Sequence, residues 1–149
     1  MIAAPKSQKT VLVVEDNPAD LFLLRRVVQK LCGNVRFEFL RDGEEVVNYL
    51  SGEGRFANKD AYPDPSVILM DFHLPKLSGL EILDWIRQQL SCKKPRIVMW
   101  SDSEFGADFK RAKEAGAEMV LRRPSGIEAL TGFLEGIIDM VDEGEHRAG

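Results

Sequence analysis

Short apolar runs alternate with amphipathic stretches along the whole chain, and the alternation predicts five strand–helix units. The run Val11-Leu12-Val13-Val14 predicts a strand over Thr10 to Glu15. Asn17-Pro18 then opens a helix, with an N-cap residue followed by proline at the first helical position, and its buried stripe is Leu21, Leu24, Val28 and Leu31. From Val35 to Leu40, Val35, Phe37 and Phe39 alternate with Arg36 and Glu38, as in a strand with one less buried face, so this is the expected edge strand. Asp42 with Glu45 offers a capping pair for a short second helix carrying Val46, Val47 and Leu50. The segment from Ser51 to Ser66 is polar, contains Gly52, Gly54, Pro63 and Pro65, and exceeds an ordinary helix-to-strand connection. A third strand, Val67-Ile68-Leu69-Met70 closed by Asp71, is followed by a loop with Pro75 and by a helix capped by Ser78 and Glu81. A fourth strand is read at Arg96 to Ser101, a more polar helix at Glu104 to Ala115, and a fifth strand at Glu118 to Leu121. Ser125 with Glu128 caps the last helix, whose apolar face is Ile127, Leu130, Leu134, Ile137 and Val141. The tail from Gly144 is expected to fray.

Near-continuous apolar strands separated by amphipathic helices describe a parallel sheet covered on both faces. The predicted fold is α/β, a doubly wound (βα)5 of flavodoxin-like order 2-1-3-4-5. The expected division is an N-terminal segment over residues 1–9, one domain over 10–143 and a tail over 144–149. In that order the first and third strands flank the point where the winding reverses, and a crevice opens outside their carboxyl ends. Glu15, Asp16 and Asp71 all stand at those ends. Carboxylates crowded there repel one another in a poorly screened medium, which raises their proton affinity unless a cation compensates. Mg²⁺ is the natural candidate, because it takes one or two carboxylates, keeps several waters and leaves room for phosphate oxygens.

Length, at 149 residues, allows one domain with a real core. A net charge of −4 gives no broad basic surface, so direct DNA binding is not expected. The two cysteines, Cys32 and Cys92, lie far apart without metal-ligand spacing, which favours a reduced cytoplasmic setting. No stretch approaches the ~18 apolar residues that a membrane span requires, and the first ten residues lack an apolar leader core, so a soluble protein is expected. His73 is read as a solvent-facing loop residue contributing its carbonyl, and with only His146 besides it a histidine-rich metal site is not expected. Gly52-Glu53-Gly54-Arg55-Phe56-Ala57 superficially fits a dinucleotide fingerprint, but it follows a helix and does not join the first strand to its helix.

With these residues in place, the chain over about Thr10 to Val141 resembles the receiver domain of two-component response regulators. The resemblance rests on Glu15-Asp16 after strand one and on Asp71 in Asp-Phe-His-Leu-Pro-Lys-Leu-Ser-Gly after strand three. It rests equally on Ser101 after strand four and Arg123-Pro124 after strand five. The long loop before strand three is similar to that of small stand-alone receivers serving phytochrome-type histidine kinases. By resemblance, Asp71 is the phosphoryl acceptor, Asp16 and Asp71 ligate Mg²⁺ with the backbone carbonyl of His73, and Glu15 acts through bound water. The implied phosphoryl source is a histidine kinase or a phosphotransfer protein. The module is a switch rather than a metabolic enzyme, and with no effector domain expected its output passes through protein contact. A homodimer through strand five and helices four and five is part of that expectation.

The chemistry also follows from the residue types. Phosphoryl transfer to a carboxylate needs positioning and charge neutralisation more than covalent help. Asp71 is the nucleophile, Ser101 a hydrogen-bond donor to a phosphoryl oxygen, and Arg123 a fixed positive charge. Two positions depart from the family pattern. Arg123 stands where lysine is usual, and its planar fork either holds Asp71 back or clamps the phosphoryl oxygens. Val120 stands where a switching aromatic is common, with Trp100 beside Ser101 the nearest substitute, against its ordinary use in packing. Two functions remain: a phosphorylation-dependent relay, and a phosphorylation-independent binding module in which Arg123 is paired to Asp71.

Overall fold

Period-two alternation within each apolar run sorts its side chains onto the two faces of one sheet. The computed structural model describes residues 8–31, 33–89, 95–102 and 106–147, with side chains as far as Asp142. The elements run β1 (Lys9–Val14), α1 (Pro18–Lys30), β2 (Val35–Leu40), α2 (Gly43–Ser51), β3 (Val67–Asp71), α3 (Gly79–Gln89), β4 (Arg96–Ser101), α4 (Gly106–Glu114), β5 (Met119–Arg122) and α5 (Ile127–Arg147). All four strand pairings are parallel, in the order β2-β1-β3-β4-β5. The expected doubly wound α/β architecture is therefore present. Expectations for Cys32, Cys92 and the start of the fourth helix at Glu104 fall outside the described residues.

One face of the sheet presents Leu12, Val14, Ile68, Met70, Ile97 and Met99 to a layer that includes Val46 and Leu50 of α2 and Ile82, Leu83 and Ile86 of α3. The opposite face presents Val11, Val13, Val67, Leu69, Val98 and Trp100 to Leu24 and Val27 of α1 and to Leu130, Leu134, Ile137 and Val141 of α5. The central strands β1, β3 and β4 are covered on both faces, which is why they read as unbroken apolar runs. The outer strand β2 is half-buried along most of its length, as its alternation implies.

Local signals hold at most helix ends. The Asn17 side chain accepts from the N–H groups of Ala19 and Asp20. The Asp42 carboxylate accepts from Glu45 N at 2.8 Å. Ser78 and Glu81 exchange reciprocal bonds of 3.2 and 3.1 Å. Four details differ from expectation. On α1 the third buried position is Val27, with Val28 and Leu31 half-buried, because a 3.6-residue period carries the stripe to that side. The last helix begins at Ile127, and Gly126, at φ +91°, accepts from Leu130 N. Ile127 itself is 60% exposed rather than part of the apolar face. Backbone helix continues to Arg147, past the Gly144 at which fraying was expected.

The segment between α2 and β3 is pinned by aromatic packing. It contains one 3-10 turn, Gly54–Phe56, whose Phe56 is buried. The rings of Tyr49, Phe56 and Tyr62 lie 5.1 to 5.9 Å apart. The Tyr49 hydroxyl donates to Pro63 O at 2.8 Å, and Arg36 donates to Ala61 O at 2.6 Å.

Candidate functional site

Parallel strands all point their carboxyl ends to one edge, so the residues closing β1, β3, β4 and β5 meet there. Glu15 follows β1 directly, and its N–H donates to Leu40 O at 3.0 Å, extending the ladder by one bond. Its side chain is only 2% exposed. Asn17, the cap of α1, donates its N–H to Glu15 Oε1 at 3.3 Å, so the start of the helix also fixes the acid. Asp71 closes β3, is buried, and accepts from His73 N through Oδ1 at 3.0 Å. Ser101 closes β4, is buried, and its carbonyl accepts from Arg123 N at 2.8 Å, tying the chain after β5 to the end of β4. Close approach of α3 depends on Gly79. A Cβ there would stand 2.5 Å from Asp71 O and 2.7 Å from the Met99 methyl.

Arg123 joins these ends electrically. Its Nη2 donates to Glu15 Oε2 at 2.8 Å, and its Nη1 donates to Asp20 Oδ2 at 3.2 Å. Asp71 Oδ2 and Asp102 Oδ1 each lie 3.8 Å from Nη1, within ion-pair range but beyond a hydrogen bond. The guanidinium lies over Trp100, 4.6 Å from the ring centroid. Burial raises the proton affinity of Glu15 above the ordinary carboxylate range, opposed by the Arg123 hydrogen bond and charge, while the Asp71 charge adds to the rise. Burial likewise raises Asp71, opposed by the His73 N–H and by Arg123. For Arg123 burial works against the charge, but Glu15, Asp20 and Asp71 outweigh it and hold the guanidinium protonated.

Glu15, Asp71, Ser101 and Arg123 thus come to the strand ends as their sequence positions imply. Asp16 does not join them as a third buried carboxylate. It is exposed and lines a shallow cleft of about 240 Å³ with Pro18, Leu21, Phe22, Arg25 and Arg41. Among the described residues no group of three or more His, Cys, Asp or Glu side chains is arranged to hold a metal ion. His73 is exposed, as expected of a loop residue. Arg123 is engaged chiefly by Glu15 and Asp20, and its relation to Asp71 is the longer one. Sequence reasoning missed Asp20 and Asp102. Asp102 follows the last residue of β4, so the rule that found Asp71 also reaches it. Asp20 sits in the first turn of α1, at the helix end that faces the crevice.

A hard divalent cation suits the donor chemistry. Carboxylates whose proton affinity is raised by burial are short of positive charge, and Glu15, Asp16, Asp71 and the His73 carbonyl supply oxygen only. That shortage is met in part by Arg123.

A family model described as "Response regulator receiver domain" matches residues 11–135. Response regulator Rcp1 of Synechocystis sp. (strain ATCC 27184 / PCC 6803 / Kazusa) is 30% identical over 129 residues, covering 87% of this chain and 86% of its own. The crystal structure of the phosphorylated cyanobacterial phytochrome response regulator RcpA superposes with a TM-score of 0.77 at 28% identity, over 88% of this chain and 91% of that one. The Mn(2+)-bound form of Rcp1 superposes with a TM-score of 0.74 at 29% identity, over 87% and 91%.

Proposed function

The chain belongs to the response regulator receiver domain family, and on that footing we propose that it accepts a phosphoryl group on Asp71 from a histidine kinase or phosphotransfer protein and signals through protein contact. The observation that carries this reading is the Asp71 carboxylate itself. It is buried at the end of β3, oriented through Oδ1 by the His73 N–H, and has Oδ2 turned toward the Arg123 charge. Membership in a family of signalling modules and the likeness to a phosphorylated phytochrome response regulator support it. So does the likeness to a Mn(2+)-bound relative, for the divalent cation.

In this mechanism one carboxylate oxygen of Asp71 attacks the phosphorus of a phosphohistidine. An O–P bond forms as the N–P bond breaks, and the imidazole leaves with the electron pair. The His73 N–H fixes the carboxylate orientation, and Ser101 donates to a phosphoryl oxygen. Arg123 lies close enough to place positive charge beside the transferred group. A divalent cation, with Mg²⁺ the physiological candidate, would be held by Asp16, Asp71 and the His73 carbonyl, with Glu15 acting through water; when bound it neutralises phosphoryl charge. A second copy docking on the β5 and α5 side would have to use Met119 and Ile127, since Leu130, Leu134 and Ile137 are core.

The test is phosphotransfer. Acetyl phosphate with Mg²⁺, or a phosphorylated bacteriophytochrome-type kinase, is expected to add one phosphoryl group to the wild-type chain and none to Asp71→Asn, read by intact mass. Equal labelling of both, or none of the wild type from either donor, removes Asp71 as acceptor.

A further inference from the structure

Both oxygens of Glu15 are already engaged, Oε1 by the Asn17 N–H and Oε2 by Arg123, in a side chain that solvent hardly reaches. A water on a divalent cation would need the Glu15 lone pairs that the guanidinium occupies, and the two cations would repel each other across any gap between them. Arg123 also has somewhere to go. On its outer side, between α1 and α5, opens a cleft of about 630 Å³ whose lining includes Asp20, Leu23, Asp102, Ser125 and Leu130. Two of those residues are carboxylates already within reach of Nη1, at 3.2 and 3.8 Å. Withdrawal from Glu15 into this cleft keeps the guanidinium paired while lifting it from Trp100.

We propose that Arg123 is an internal counter-ion for Glu15 which a divalent cation displaces, the guanidinium swinging off Glu15 and the Trp100 ring toward Asp20 and Asp102. The inference rests on the phosphoacceptor reading above, which brings the cation to these carboxylates. Metal binding is then not the filling of a waiting site but an exchange of one cation for another, and Arg123 sets its affinity. The planar fork suits this role, since one Nη holds Glu15 while the other holds Asp20.

Two measurements on the full chain test the exchange. Mn²⁺ is titrated into wild type and Arg123→Gln while free Mn²⁺ is counted by electron paramagnetic resonance. Mg²⁺ is titrated into Trp85→Phe, which leaves Trp100 as the remaining indole, while emission is followed. Arg123→Gln is expected to bind Mn²⁺ about tenfold or more tightly than wild type, the scale of one lost charge-assisted hydrogen bond. Trp100 emission is expected to change as Mg²⁺ saturates Trp85→Phe, and to hold steady when Arg123→Gln is added to that background. Equal Mn²⁺ affinities, or a silent Trp100 while metal binds, overturn the displacement and leave the phosphoacceptor reading standing. Absence of Mn²⁺ binding to either protein overturns the metal's part in that reading and the inference together. Should Arg123→Gln fail to fold, the Trp100 response of Trp85→Phe alone decides.

Discussion

Replacing Arg123 by methionine keeps the length and apolar stem of the side chain and removes its charge. The cost can be worked from the contacts. Glu15 loses a 2.8 Å charge-assisted hydrogen bond in a buried setting, a loss of about 1.5–3 kcal/mol, bounded above by the ~3–5 kcal/mol for stripping one partner from a buried pair. The arm to Asp20, whose side chain is 36% exposed, adds roughly 0–1 kcal/mol, and the contact with the Trp100 face about 0.5–1 kcal/mol. The expected loss is thus about 2–5 kcal/mol at pH 8. In a chain of this size that is a fall in Tm of roughly 4–20 °C. Its pH dependence is the sharper signature. Burial raises the folded-state proton affinity of Glu15, so the stability linked to its proton is fully present below the ordinary carboxylate pKa and is lost as pH rises through the higher folded value. Without Arg123 the chief opposing influence on Glu15 is gone, the folded value climbs further, and the loss extends to higher pH. Urea unfolding at pH 4, 6 and 8 is therefore expected to show a wild-type-to-variant gap that widens with pH, from about 1 kcal/mol or less at pH 4. Adding Glu15→Gln to the variant is expected to recover most of the loss at pH 8, because no charge then needs a partner. A gap independent of pH, or no recovery in the double variant, refutes the view that Arg123 acts as the counter-ion of Glu15.

Asp71→Asn is expected to raise stability at pH 7 and to leave it unchanged near pH 4 in the same urea assay. The wild-type group has a raised folded proton affinity and so costs stability once ionised, while asparagine can still accept from His73 N. Gly79→Ala is expected to cost about 2 kcal/mol despite the better helix former, because the new Cβ meets backbone at 2.5 Å. A melting curve unchanged from wild type would show that β3 and α3 separate freely there. Phe56→Ala is expected to cost about 3–4 kcal/mol and to expose the loop between α2 and β3 to limited proteolysis, since Phe56 is 2% exposed between Tyr49 and Tyr62. Resistance equal to wild type would mean that the loop is held by its other bonds.

Much of this molecule is legible along the chain because its signals are local. β2 and β4 occupy the residues their apolar patterns delimit, and Asn17, Asp42 and Ser78 cap the helices they precede. Strand ends place Glu15, Asp71, Ser101 and Arg123 at one edge, because parallel winding leaves them no other. What escapes is set by contacts across the fold. Phe56 looks like a polar-loop residue until Tyr49 and Tyr62 close over it. Asp16 and Glu15 are adjacent in sequence, yet one is exposed and the other buried, since successive side chains at a strand end leave on opposite sides. The partner of Arg123 was legible only as a choice. The residue type allowed a clamp on Asp71, and the geometry gives the short bonds to Glu15 and Asp20 instead.

Trp100 ties the charge network to the core. It is fully buried, and among the described residues its indole N–H has no hydrogen-bond partner, an arrangement that costs about 1–3 kcal/mol. A phenylalanine in the same place would avoid that cost. What the larger ring supplies is area for two contacts: the Arg123 guanidinium at 4.6 Å, and Phe133 of α5 at 5.4 Å between ring centroids. Tryptophan is the best of the aromatic faces for a cation. The same ring therefore supports the guanidinium at the strand ends and packs against α5, on the sheet face opposite the one to which Val120 packs. Val120 offers no ring there, and the aromatic side chain that Arg123 touches, Trp100, is the one that packs against α5.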